Sequence, residues 1–169
     1  MSEAWGSILI KASDELVSEM AQSDDGISWD LLVRLAGTAG IDSLVDKHSM
    51  LSYSEGNEFP HEGIERADDF VEITIFGDEW MYLIQALVKL GAGIEVYGSI
   101  AHEYGYTEYY ALNNEGKHFF ATADYESGDD IDEEALQKEW LSFVPADVQS
   151  RFPSVFATDE DDYDDEDDD

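Results

Sequence analysis

The sequence predicts an α+β fold: N-terminal helices, then a β-α-β-β-β antiparallel sheet with a packed helix, a C-terminal helix and a disordered acidic tail. Three observations predict it. Apolar residues recur at helical spacing through the first fifty residues. From residue 69 onward, short β-rich runs bracket one strongly apolar helix. The chain then ends in a low-complexity acidic run. Hydrophobic residues make up 43% of the 169 and aromatics 12%, enough for a packed core.

The elements follow in order. Trp5, Ile8, Leu9, Ala12, Leu16, Val17 and Met20 fit one face of a helix over 4–21. Ser23-Asp24-Asp25-Gly26 reads as a turn. Ser28 is a suitable N-cap for a helix to about Ala36, ended by Gly37. Ile41, Leu44, Val45, His48 and Leu51 suggest a third helix over 41–51. The polar stretch 52–67, with Gly and Pro, reads as a connecting loop. Phe70 to Phe76 is a strand, and Glu79 to Leu90 is a helix capped by Asp78, apolar on most sides and therefore buried. Ile94 to Ala101 and Tyr106 to Leu112 are strands. Asn113-Asn114-Glu115-Gly116 is a hairpin turn leading to a return strand from Lys117 to Ala123. A helix to about Phe143 uses Leu136, Trp140 and Leu141, and Pro145 opens a short further turn of helix. The organisation expected is a helical segment over 1–52, a connecting loop over 53–68, an α+β domain over 69–156 and an acidic tail over 157–169.

Charge dominates the composition. Eight Lys and Arg face 41 Asp and Glu, for a net charge of −33. Ten acids lie in the last eleven residues, and removing them takes the charge only from −33 to −23. The body is therefore acidic in its own right. Self-repulsion on this scale opposes the compact state, and it excludes direct binding to nucleic acid or anionic lipid, which are polyanions. No apolar run is long enough to span a membrane, and the N-terminus lacks the basic and apolar order of a secretory signal. With no cysteine there is no disulfide and no thiolate metal site. A cytoplasmic location fits these features.

Motifs for catalysis are missing. The chain has no phosphate loop, no HExxH and no nucleophile elbow. Gly91-Ala92-Gly93 follows a helix and reads as its stop. The residues from Ser23 to Leu32 do not keep the ligand spacing of an EF-hand loop. The four histidines, His48, His61, His102 and His118, show no metal-ligand spacing, although His102 and His118 could approach across the sheet. No catalytic residue, metal ligand or cofactor is expected.

What remains is an aromatic and acidic hairpin. Period two puts Tyr106, Glu108, Tyr110 and Leu112 on one face and Thr107, Tyr109 and Ala111 on the other. Tyrosine is enriched at interface cores and hot spots. The candidate partner-binding residues are Asp68, Asp69, Glu72, Glu95, Glu103, Tyr104, Tyr106, Glu108, Tyr110, Asp124, Glu126, Asp129, Asp130, Asp132, Glu133, Asp161, Asp162, Tyr163 and Asp164. Asp78, Glu79 and Glu134 share their acidity. At one charge per roughly 1.7 Å of duplex axis, 33 charges match roughly 56 Å of DNA.

The overall charge and the ending DEDDYDDEDDD resemble those of phage and plasmid anti-restriction proteins that mimic DNA. The resemblance is one of composition and carries over no functional residue. It implies an anti-defence inhibitor that binds a basic nucleic-acid-binding protein or nuclease complex, in the host cytoplasm if phage-encoded. Two other readings fit the charge. One is an immunity protein or antitoxin neutralising a cognate nuclease toxin. The other is adaptation to high salt, which should spread charge evenly. A homodimer would present a longer acidic strip.

Overall fold

The computed structural model describes residues 3–23, 26–40, 58–77, 79–124 and 132–156. Its centre is a seven-stranded antiparallel sheet. The strands are β1 (Ala4–Lys11), β2 (Gly26–Ser28), β3 (Glu58–Ala67), β4 (Phe70–Phe76), β5 (Glu95–His102), β6 (Tyr106–Leu112) and β7 (His118–Asp124). Their spatial order is β2-β3-β4-β1-β5-β6-β7. Five helices complete the fold: α1 (Asp14–Ala21), α2 (Trp29–Thr38), α3 (Glu79–Leu90), α4 (Glu133–Ser142) and α5 (Ala146–Arg151).

The α+β class holds, but the N-terminal reading needs correction. Residues 4–11 are a strand, and it sits between β4 and β5. Ile8, Leu9 and Ile10 are all fully buried, which happens when helices cover both faces of a central strand. An apolar run of that kind satisfies helical spacing and strand burial equally well. Gly6 and the β-branched Ile8 and Ile10 favour the strand. A Cβ on Gly6 would lie 2.1 Å from the Ser99 carbonyl oxygen, so only glycine permits β1 and β5 to approach as they do. The helix begins after Ser13, whose Oγ accepts the Leu16 N–H at 3.3 Å.

Residues 58–67, expected within the 53–68 loop, form β3. Pro60 lies beside the short β2, and the ladder to β4 shifts register between His61 and Gly63. Proline is tolerated where pairing is interrupted. The sheet thus takes strands from both sides of the proposed loop, so a helical segment over 1–52 does not stand apart from the sheet. Gly26, expected in a turn, begins β2. Ser28 caps α2 as expected, though that helix continues past Gly37 to Thr38. The expected helix over 41–51, the Asp78 cap and the acidic tail lie outside the described residues.

Two cores fill the two faces. On one, Ile8, Ile10, Val71, Ile73, Val96, Ile100, Tyr110 and Leu112 meet α1, α2 and α3. Trp80, Leu83, Ile84, Leu87 and Val88 make α3 the main cover of that face. On the other, Leu9, Phe70, Tyr97, Tyr109 and Ala111 meet Trp140, Val144, Val148, Phe152 and Phe156. Trp140 is pinned by its Nε1–H, which donates to the Tyr110 carbonyl at 2.9 Å. The hairpin face assignment is as expected, with Tyr110 and Leu112 in the first core and Tyr109 and Ala111 in the second. Asn113 closes the hairpin, its Oδ1 accepting the Glu115 and Lys117 N–H groups.

Candidate functional site

The charged side chains divide the sheet into two unlike ends. At the end of β1 marked by Lys11, three of the few bases gather. Lys11 Nζ lies 3.2 Å from both Asp69 and Glu95. Arg151 reaches Asp68 and Asp69 at 3.5 Å. Arg66 pairs with Asp14 and donates to the Asp68 carbonyl. Arg34 pairs with Glu15 and Glu19 on α1, and its guanidinium holds the Glu19 carboxyl below its ordinary range. The bases here are therefore engaged with the chain's own acids.

The opposite end differs. It comprises the start of β1, the ends of β4, β5 and β7, the first turns of α3 and the β5–β6 turn. Register places it: Ala4 pairs with His102, Trp5 with Phe76 and Ala101, and Tyr106 with both His102 and Asp124. Residues 3–7, 74–77, 80–85, 99–108 and 122–124 include no Lys or Arg. Four of the six large exposed hydrophobic side chains among the described residues sit at this end: Tyr104 (63% exposed), Trp5 (50%), Tyr82 (47%) and Phe76 (42%). Glu3, Glu103, Glu108 and Asp124 accompany them. Trp5 and Phe76 share the face of Leu9 and Phe70, while Tyr82 and Tyr104 lie on the α3 side. Exposed aromatics and carboxylates thus border this end from both faces of the sheet, a composition found at protein-binding surfaces.

Within this end a cleft of about 250 Å³ opens between α3 and the β5–β6 turn. It is lined by Met81, Tyr82, Gln85, His102, Tyr104, Tyr106 and Glu108. The turn is locally fixed. Gly105 adopts φ 91°, which a residue with a Cβ resists, and its N–H donates to the His102 carbonyl. The Glu103 N–H donates to the Glu3 carbonyl at 3.0 Å, and the Glu3 N–H donates back to the Glu103 carboxylate at 3.1 Å. His102 is buried and stacks on Tyr106 with centroids 4.6 Å apart and planes within 9°. Its Nδ1 accepts the Tyr104 N–H at 3.1 Å. Glu108 accepts a hydrogen bond from the Tyr110 hydroxyl. Burial pushes the Glu108 carboxyl up, against the opposing effects of Tyr110, Lys89 and His102.

The predicted partner-binding residues separate into groups. Tyr104, Tyr106 and Glu108 line the cleft, Glu103 sits on the same turn bonded to Glu3, and Asp124 pairs with Tyr106 across β6 and β7. Tyr110 is a correction: it is fully buried under α3 and touches no partner surface. Glu95 is a second. It is 8% exposed, accepts the Tyr97 hydroxyl at 2.7 Å and pairs with Lys11. Asp68 and Asp69 belong to the ion-pair end. Glu72 faces Glu65 across the strands, and burial followed by that neighbouring charge raises its carboxyl pKa. Asp132 caps α4, and Glu133 accepts the Tyr109 hydroxyl. Glu134 is exposed on α4. Glu126, Asp129, Asp130, Asp161, Asp162, Tyr163 and Asp164 lie outside the described residues. His102 and His118 lie at opposite ends of the sheet and do not approach, because His118 pairs with Leu112 while Tyr106 pairs with His102.

Trp5, Phe76 and Tyr82 were not anticipated. Trp5 carried the wrong secondary structure, and Tyr82 interrupts a helix otherwise read as buried. Its polar hydroxyl within an apolar run was the available signal. Among the described residues no group of three or more His, Asp or Glu could hold a metal ion, and no helix is long and apolar enough to cross a membrane. Comparison with family models, curated proteins and solved structures finds no match.

Proposed function

We propose that this chain acts by stoichiometric binding, occupying the basic nucleic-acid-binding surface of another protein in the manner of a DNA mimic, and that it catalyses no reaction of its own. The observation that carries this reading is the segregation at the sheet. Lys11, Arg66 and Arg151 pair internally at one end, while the strands and turn of the other present exposed aromatics and carboxylates with no Lys or Arg among them. The net charge of −33 supplies long-range attraction that steers a cationic partner and weakens with salt. The aromatics supply short-range affinity once water is excluded. The partner class is a nuclease or other nucleic-acid-binding complex, met in the cytoplasm.

The exposed aromatic quartet also favours a second reading, an immunity protein shaped to one cognate toxin. A general DNA mimic needs charge spacing, whereas Trp5, Phe76, Tyr82 and Tyr104 give shape. Capture from a host lysate on the immobilised full chain at low salt, followed by elution with duplex DNA, separates the two. DNA-displaced nucleic-acid-binding proteins fit mimicry. A single small basic protein that DNA leaves bound fits immunity. Retention of neither class would reject both.

A further inference from the structure

The cleft has features that the excess of acid does not explain. Three tyrosine rings, those of Tyr82, Tyr104 and Tyr106, line it together with the Glu108 carboxylate. Ring faces carry negative potential and attract cations. Glu108 is held in place by the Tyr110 hydroxyl and is partly desolvated, so an entering positive charge would recover what burial costs it. At about 250 Å³ the cleft is smaller than the roughly 300–1,000 Å³ of pockets that hold small-molecule ligands. That size suits one side chain.

None of the chain's own arginines among the described residues reaches it. Arg34, Arg66 and Arg151 are committed to Glu15 and Glu19, to Asp14, and to Asp68 and Asp69. His102 lines the cleft itself, and Lys89, whose charge acts on Glu108, is held over the Phe120 ring at 4.5 Å. A planar guanidinium suits this lining better than an ammonium. It stacks on aromatic faces, offers a fork of donors to a carboxylate and gives up its hydration more readily.

We propose that this cleft is an arginine pocket, in which a guanidinium from the basic partner enters between the tyrosine rings and pairs with Glu108. The proposal rests on the reading of this end as the contact surface for a basic protein, and it names the side chain that anchors that contact.

The test uses the full chain and N-acetyl-arginine amide, followed by aromatic NMR at low salt. Saturable shifts are expected at Tyr82, Tyr104, Tyr106 and His102, with Tyr97 on the far face unmoved. Glu108→Gln should weaken binding about tenfold or more, since it removes the charge partner. Tyr104→Ala, at a position 63% exposed, should weaken it about two- to fivefold. N-acetyl-lysine amide should bind at least about threefold more weakly. Diffuse, non-saturating shifts across the acidic surface would overturn the pocket, as would equal binding by wild type and both variants. Equal affinity for the lysine probe would overturn the guanidinium assignment. Because the probe needs no partner, its failure alongside salt-sensitive capture of a basic protein would reject the pocket and leave the broader reading standing.

Discussion

Replacing Lys11 with Met should destabilise the protein by about 2 kcal/mol, and the structure gives the reasoning. Lys11 Nζ lies 3.2 Å from Glu95 and 3.2 Å from Asp69. Its side chain is 40% exposed, while that of Glu95 is 10% exposed. Breaking a fully buried pair by removing one partner costs about 3–5 kcal/mol, and an exposed pair is worth about 0–1 kcal/mol. A pair with one buried and one half-exposed member falls between. The Tyr97 hydroxyl still solvates Glu95 after the change, which keeps the cost toward the lower figure. At about 2–4 °C per kcal/mol for a chain of this size, Tm should fall by about 4–8 °C. Lys11→Met/Glu95→Gln should recover more than half of that loss, because the stranded charge is gone and the Gln carbonyl still accepts from Tyr97. Scanning calorimetry at pH 7 and low salt measures both. A loss below about 0.5 kcal/mol for the single variant, or a double variant as unstable as the two singles summed, would refute the reasoning.

Stability should also rise on mild acidification. Burial holds the Glu108 carboxyl above its ordinary value of 4.5, and burial with Glu65 does the same for Glu72. The folded chain then keeps protons that the unfolded chain has already released. Stability therefore falls as pH rises through the window between 4.5 and the raised values. Tm should increase as pH is lowered through that window toward 4.5, and Glu72→Gln/Glu108→Gln should flatten that increase; an identical slope in the variant would contradict the assignment. Trp140→Ala should cost about 3–5 kcal/mol, since the ring is 1% exposed, packs on Tyr109 and Phe156 and holds the Tyr110 carbonyl. Hydrogen exchange in α4 and α5 should quicken with it, and a loss under about 1 kcal/mol would mean that these helices are not integral to the second core.

Much of the second half was legible because each element there carries its own local signal. Asn113 to Gly116 specifies a hairpin by Asx chemistry, and α3 is apolar enough to be read as buried. β1 was not legible as a strand, because a central strand covered on both faces loses the alternation that marks a half-buried one. β3 was misread for the opposite reason: its Pro60, Gly63 and charged residues are tolerated beside a one-residue register shift near the sheet edge. For the candidate site, the sequence grouped Tyr104, Tyr106 and Glu108 on one hairpin, and the structure brings them to one cleft. It could not separate acids that face solvent from Glu95 and Asp69, which face the chain's own bases, since that division depends on which strand ends share an end of the sheet. Trp5 and Phe76 become neighbours only through the pairing of β1 with β4, 71 positions apart in sequence.

The proposed contact surface for a basic nucleic-acid-binding protein is the end bearing Trp5, Phe76, Tyr82, Tyr104 and Glu103. Its most direct test is the affinity of the DNA-displaceable protein captured from the lysate for wild type and for Glu103→Lys/Tyr104→Ala, across a salt series. The variant changes two exposed positions, so its Tm should stay near that of wild type. At least about a tenfold loss of affinity in the variant and a shallower salt dependence are expected. Equal affinity and equal salt dependence for the two proteins would contradict that assignment and place the contact elsewhere on the acidic surface.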